Sequence, residues 1–162
     1  MNYFAITKDD MLNGEGLRVV LWVAGCNHHC KGCHNSYTWD KNSGIPFDVE
    51  AGAEIAEAVM QDHCSGLTLS GGDPLHTENR KDVTMICKDF KNCFPEKTIW
   101  VYTGYTWEQV KHLEVLKYID VLVDGEFIQE LADENYPWAG STNQRIINVQ
   151  DSLKLGKVVL EV

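Results

Sequence analysis

Nowhere in the 162 residues is there an apolar run long enough to cross a bilayer, and no repeat, linker or low-complexity tract breaks the chain. The first ten residues, Met1 to Asp10, lack the basic start and apolar stretch of a secretory signal. These absences point away from export and from membranes, so a cytoplasmic location is expected. The six cysteines are then thiols or metal ligands rather than a disulfide scaffold. Basic side chains are also scarce: 14 Lys and Arg stand against 24 Asp and Glu, a net charge of −10. That balance suits phosphate backbones poorly, so no nucleic-acid partner is expected. What remains is a chain with enough apolar residues, 44%, for one sizeable core, and residues 1–162 read as a single domain.

Strands and helices alternate along it. Leu17 to Val23 is a β-branched and aromatic run that reads as a buried strand, leading straight into a cysteine-rich loop. Asp48 caps a predicted helix with Ile55, Ala56 and Val59 on one face. Leu67 to Ser70 reads as a short strand closed by Gly71-Gly72. Asp73-Pro74 then suits a helix start, and the apolar stripe that follows is Val83, Ile86, Cys87 and Phe90. Thr98 to Tyr102 and Val121 to Val123 are two further strands, with Thr106 and Gln109 as a capping box between them. Arg145–Val149 and Lys157–Val162 read as a closing pair of strands. This alternation predicts βα units, an α/β fold with a mostly parallel sheet. The chain is too short for an eight-fold barrel of about 250 residues, so a partial, open barrel or a short sheet is expected. Sites in such folds lie beyond the C-terminal strand ends. Four marked segments fall there: the cysteine loop, Gly71-Gly72-Asp73, Thr103-Gly104-Tyr105 and Asp124-Gly125.

The cysteine loop, Cys26-Asn27-His28-His29-Cys30-Lys31-Gly32-Cys33, carries the most chemistry. Three thiols in the spacing Cys-x3-Cys-x2-Cys can hold an iron–sulfur cube and leave one iron open. The competing reading is a structural zinc site completed by His28, His29, His34 or the distant His63-Cys64 pair. Cys87 sits on a helix stripe and reads as a core residue, whereas Cys64 and Cys93 lie near predicted helix ends as idle or buried thiols. Gly71 and Gly72 let the backbone approach a ligand closely, so that its carbonyls can meet an ammonium group. In isolation they also suit a plain strand–helix turn. His28, His29, His34 and His76 lie near the expected site, but none stands out as catalytic.

Taken together, the cysteine spacing after a first strand and Gly-Gly-Asp after a second resemble the radical S-adenosylmethionine superfamily. Within it the chain is similar to the activating components of anaerobic ribonucleoside-triphosphate reductases. The resemblance covers most of the chain, including Asn13 to Arg18, Gly25-Cys26, Cys30 to Asn35, Ser70 to Leu75, Trp100 to Tyr105, Asp120 to Gly125 and Gly140 to Arg145. It implies a partial open (βα) barrel of the radical S-adenosylmethionine type. It also implies a [4Fe-4S] cluster on Cys26, Cys30 and Cys33, with S-adenosylmethionine on the open iron. Gly71, Gly72 and Asp73 are implied to fix the methionine ammonium. Gly32, Cys33 and His34 are implied at the adenine, and Thr103 and Asp124 beside the cofactor. Two positions depart from the pattern: Gly32 stands where an aromatic precedes the third cysteine, and Asp73 stands where glutamate is commoner. The implied activity is reductive cleavage of S-adenosylmethionine to a 5′-deoxyadenosyl radical, which takes a glycine Cα hydrogen from the large reductase subunit. An electron donor such as flavodoxin or ferredoxin is implied, and no membrane partner. Rival readings are an activase for another glycyl-radical enzyme such as pyruvate formate-lyase, a small-molecule radical enzyme, and a zinc-stabilised interaction module.

Overall fold

The computed structural model describes residues 1–161. Seven strands form one sheet: β1 Asn2–Asp10, β2 Leu17–Val23, β3 Ile45–Pro46, β4 Cys64–Gly71, β5 Thr98–Tyr102, β6 Val121–Asp124 and β7 Arg145–Asn148. Four helices accompany them: α1 Val49–Val59, α2 Arg80–Cys93, α3 Trp107–Val110 and α4 Val149–Leu155. The α/β class is as expected, and β2 and β5 have the predicted bounds. Both strands are buried runs of β-branched and aromatic side chains, a pattern that survives without any help from tertiary context.

The sheet order is β3-β1-β2-β4-β5-β6-β7. Only the central neighbours β2–β4, β4–β5 and β5–β6 are parallel; β3–β1, β1–β2 and β6–β7 are antiparallel. The sheet is therefore mixed rather than mostly parallel, and it is open, with β3 and β7 at its edges. For β1 and β2 the cause is connection length: a six-residue turn joins them, too short for the crossover that a parallel pair requires.

Side chains alternate across the sheet. Val19, Leu21 and Val23, Leu67 and Leu69, Ile99 and Val101, and Leu122 form one continuous core with Ile55 and Val59 of α1 and Val83, Cys87 and Phe90 of α2. On the opposite face Trp100, Val121, Val123 and Ile146 make a smaller cluster with Tyr102 and Trp138. Among the described residues no long helix covers that second face, which leaves room for a pocket.

Other elements differ from expectation. Asp73-Pro74 does not start a helix. The chain turns through residues 74–79 and α2 begins at Arg80, because the Asp73 carboxylate is drawn into the rim described below. Val149 opens α4, where the Asn148 side chain accepts the Asp151 N–H, so the predicted closing strand pair is interrupted by a helix. Of its second strand only Leu160 bridges, to Ile147, and the end of that strand, Val162, lies outside the described residues. Cys87 is buried in the core as expected. Cys93 ends α2 exposed, whereas Cys64 begins a strand, not a helix end. Among the described residues no helix is long and apolar enough to cross a membrane.

Candidate active site

The parallel register aligns the ends of β2, β4, β5 and β6 along one rim, where Val23 pairs with Gly71 and Tyr102 with Val123. All four predicted segments leave from that rim. The cysteine loop is anchored from behind by the chain that follows it. Gly25 N–H donates to the Thr38 carbonyl at 2.7 Å and Cys26 N–H to the Trp39 carbonyl at 3.0 Å. The Trp39 ring stacks on His29, with centroids 4.3 Å apart. At the other end of the loop, Asn35 N–H donates to the Cys33 sulfur at 3.4 Å. Gly32 is exposed with φ of +77°, a left-handed backbone that strains any side chain bearing a Cβ. That conformation accounts for glycine at a position where the superfamily pattern has an aromatic.

The rim is tied together by one carboxylate. Asp73 is buried and accepts from four groups: Leu75 N–H at 2.8 Å, the Thr103 hydroxyl at 2.8 Å, Gly104 N–H at 3.0 Å and His28 Nε2 at 2.6 Å. Its own N–H donates to the Gly25 carbonyl at 2.7 Å. Asp73 and Thr103 thus come together as predicted, but the Asp73 side chain is spent on joining the cysteine loop to β5. Gly72 passes so close to the cysteine loop that a Cβ would stand 2.7 Å from the Gly25 carbonyl oxygen. Asn79 completes the junction, with its side-chain amide donating to the carbonyls of Ala24 at 2.8 Å and Asp73 at 3.2 Å.

His28, placed near the site by the sequence but given no role there, is held between two carboxylates. Nδ1 faces Glu126 at 3.1 Å while Nε2 faces Asp73, and these bonds, Asp73 first, raise its pKa above the ordinary histidine value against the opposing effect of burial. Partners 45 and 98 positions away leave no local signal in the sequence. His76 is buried and accepts the Glu78 N–H on Nδ1, a turn-closing role. His34 packs against Phe127 with centroids 5.5 Å apart. Asp124 stands one strand further along the rim. It is buried, accepts the Trp107 N–H at 2.7 Å and pairs with Arg145 at 2.6 Å, which fixes α3 and β7 to the end of β6.

Beside the cysteine loop, on the face without long helices, lies an open pocket of about 600 Å³. Cys33, His34, Trp22, Ser70, Tyr102 and Trp138 are among its walls. This size suits a small cofactor. Burial pushes the Cys26 thiol up to about 11 and raises that of Cys30, while the backbone N–H groups of His28 and His29 at Cys26, and of Phe127 at Cys30, act in the opposite sense. Thiols so placed ionise when a cationic centre takes them. Among the described residues no three His, Cys, Asp or Glu side chains converge as they must around a single metal ion. A four-iron cube binds each thiolate on a different iron, an arrangement that three thiols spread along one loop suit.

The family model described as "4Fe-4S single cluster domain" matches residues 12–147. The chain is 43% identical over 153 residues, 94% of its length and 97% of the relative's, to the anaerobic ribonucleoside-triphosphate reductase-activating protein of Enterobacteria phage T4. The chain belongs to the anaerobic ribonucleoside-triphosphate reductase-activating proteins. Relatives of the same name include one from Pasteurella multocida strain Pm70, 43% identical over 90% of this chain and 96% of its own. Another, from Escherichia coli strain K12, is 40% identical over 89% and 96%. The matched region takes in the cysteine loop and the whole parallel part of the sheet, so the rim described above lies inside the region matched by the 4Fe-4S single cluster domain.

Proposed function

We propose that Cys26, Cys30 and Cys33 hold a [4Fe-4S] cluster, that the adjoining pocket takes S-adenosylmethionine, and that the protein generates a glycyl radical on the large subunit of an anaerobic ribonucleoside-triphosphate reductase. The observation that carries this reading is the shared wall: Cys33 and His34 border the same pocket as Ser70 and Trp22. When bound, the two cofactors supply one-electron cleavage of the sulfonium to methionine and a 5′-deoxyadenosyl radical, which abstracts the glycine hydrogen.

The chain's own residues hold and shape. The amides at Cys26, Cys30 and Cys33 steady thiolate charge. Gly71 and Gly72 offer backbone carbonyls to the methionine ammonium, and Asp73, through His28 and Thr103, keeps that backbone against the cysteine loop. The backbone of Gly32 to His34, with the His34 ring, meets the adenine. Asp124 keeps the far end of the rim in place through Arg145. In this reading the open sheet serves as a partial barrel of the radical S-adenosylmethionine type, residues 1–162 act as one domain in the cytoplasm, and a flavodoxin or ferredoxin supplies the electron.

The test is made anaerobically with iron, sulfide, reductant and S-adenosylmethionine. Wild-type protein is expected to turn brown and form 5′-deoxyadenosine, and to raise a glycyl-radical resonance when the large subunit is added. Cys30→Ala is expected to lose cluster and cleavage while its circular dichroism is unchanged. Cleavage by that variant, or zinc in place of iron in the wild type, overturns the assignment.

A further inference from the structure

Among the described residues three without a glycine's freedom have a left-handed backbone: Asp9 at φ +55°, His29 at +52° and Trp138 at +62°. Aspartate and histidine enter that region readily, whereas a residue as bulky as tryptophan does so only under constraint. Trp138 is held at several points. Its carbonyl accepts the Tyr102 hydroxyl at 2.6 Å. Ala132 and Ser141 form a bridge at the base of its loop. The Gln144 side chain accepts the N–H groups of Gly140 at 2.9 Å and Ser141 at 3.1 Å, and donates to the Gly125 carbonyl at 2.9 Å. The indole stands edge to face with Trp100, centroids 5.8 Å apart. Trp100 is itself tied down: the Arg18 guanidinium lies 5.6 Å from its ring centroid, and Arg18 is buried with all five N–H donors bonded, to Thr68, Glu15, Leu67 and twice to Thr98.

Joining the strands does not require this. An antiparallel pair such as β6 and β7 can be closed by a two-residue hairpin, yet the whole of Gly125 to Gln144 lies between them. Long connections in small domains usually serve a site. This one brings Trp138 into the wall of the pocket that Ser70, Cys33 and His34 also border. The ring is half-buried, and the contact with Trp100 occupies one of its faces at most. We propose that Trp138 is a binding residue for S-adenosylmethionine, offering its free indole surface to the adenine ring. This rests on the function proposed above. A cofactor held by its ammonium at Gly71 and Gly72, next to Ser70, has its nucleoside left to reach another wall. Adenine is the flat aromatic part of that nucleoside, and base stacking on an indole is a strong contact. His34 and Trp138 border one pocket from different loops, so a single adenine can meet both. The strained backbone then has a use: it aims the ring before the cofactor arrives.

The experiment uses the intact chain with its cluster reconstituted and oxidised, so that nothing is cleaved during the measurement. Wild type, Trp138→Gly and Trp138→Phe are compared by equilibrium dialysis with S-adenosylmethionine and with S-adenosylhomocysteine, which keeps the adenine and lacks the sulfonium charge. Iron content is read on the same samples, and the thermal midpoint on the cofactor-free proteins. Glycine suits the left-handed backbone and loses only the ring, so its midpoint is expected within about 4 °C of wild type. Its Kd is expected to rise about tenfold for both ligands, with iron content unchanged. Trp138→Phe, which keeps a ring, is expected within about threefold of wild type. An unchanged Kd in Trp138→Gly overturns the proposal. A loss confined to S-adenosylmethionine overturns it by placing the ring at the sulfonium. A larger fall in midpoint, or lost iron, overturns it by assigning the ring to packing. Failure of the wild type to bind S-adenosylmethionine removes the underlying function instead, and is read before any variant is made.

Discussion

Trp39 is the residue that the fold leaves unfinished. Its indole N–H is buried and has no partner, the one such side-chain atom among the described residues. An orphaned donor costs about 1–3 kcal/mol, and replacing it by an apolar ring of similar shape removes that cost. Trp39→Phe is therefore expected to keep or slightly raise the thermal midpoint of the cofactor-free protein, measured by circular dichroism, whereas Trp39→Ala lowers it by removing the face stacked on His29. Arg18 is the opposite case. Burial depresses its pKa to about 10, which still leaves it charged at neutral pH, and every donor is satisfied. One residue keeps a polar group with no partner, and the other collects five bonds. The sequence gives no sign of either, because in both cases the deciding neighbours arrive from other strands or loops.

At the scale of elements, legibility followed burial. β2 and β5 were plain in the sequence because strands covered on both faces read as unbroken apolar runs. β1 was missed. Asn2 to Asp10 is half exposed and ends in Lys8-Asp9-Asp10, and it becomes a strand only because β2 pairs with it. The cysteine triad was legible as a local spacing, whereas the His28–Asp73–Thr103 junction was not, since no period or motif connects β4 to β5 through a side chain. α2 shows the same tension between local and distant preference. Asp73 is a good helix cap by type, yet it serves the rim, and α2 starts later at Arg80, after Asn79, whose side chain is itself turned to the Ala24 and Asp73 carbonyls. Asn79→Ala removes both bonds from a buried place, leaving two carbonyls short of a donor. The expected cost is about 1–3 kcal/mol, seen as a lower urea midpoint with an unchanged slope.

The whole molecule is a sheet with two unlike faces, one packed against helices and one bordering the open pocket. Arg145 joins Asp124 to Glu108, which is more exposed, and the Arg145 hydrogen bond holds the Glu108 carboxyl below its ordinary value of 4.5. A carboxyl depressed on folding stabilises above its unfolded pKa, and that contribution is lost as pH falls through the folded value. The pair is largely solvated, so its worth is about 0.2–1 kcal/mol. Wild type is expected to lose more thermal stability than Glu108→Gln between about pH 6 and about pH 3, and equal losses by calorimetry would contradict the pairing. The junction at Asp73 has a consequence in time rather than in space. Its partners include His28, near the start of the chain, and Gly104, far beyond the middle. A ribosome adding about 5–20 residues per second delivers Gly104 roughly 4–15 s after the cysteines. Through that interval the three thiols exist as an unsupported peptide, open to oxidants and to whatever metal is nearest. Loading of the proper centre thus belongs to the finished chain, and the nascent one must be kept from loading anything at all.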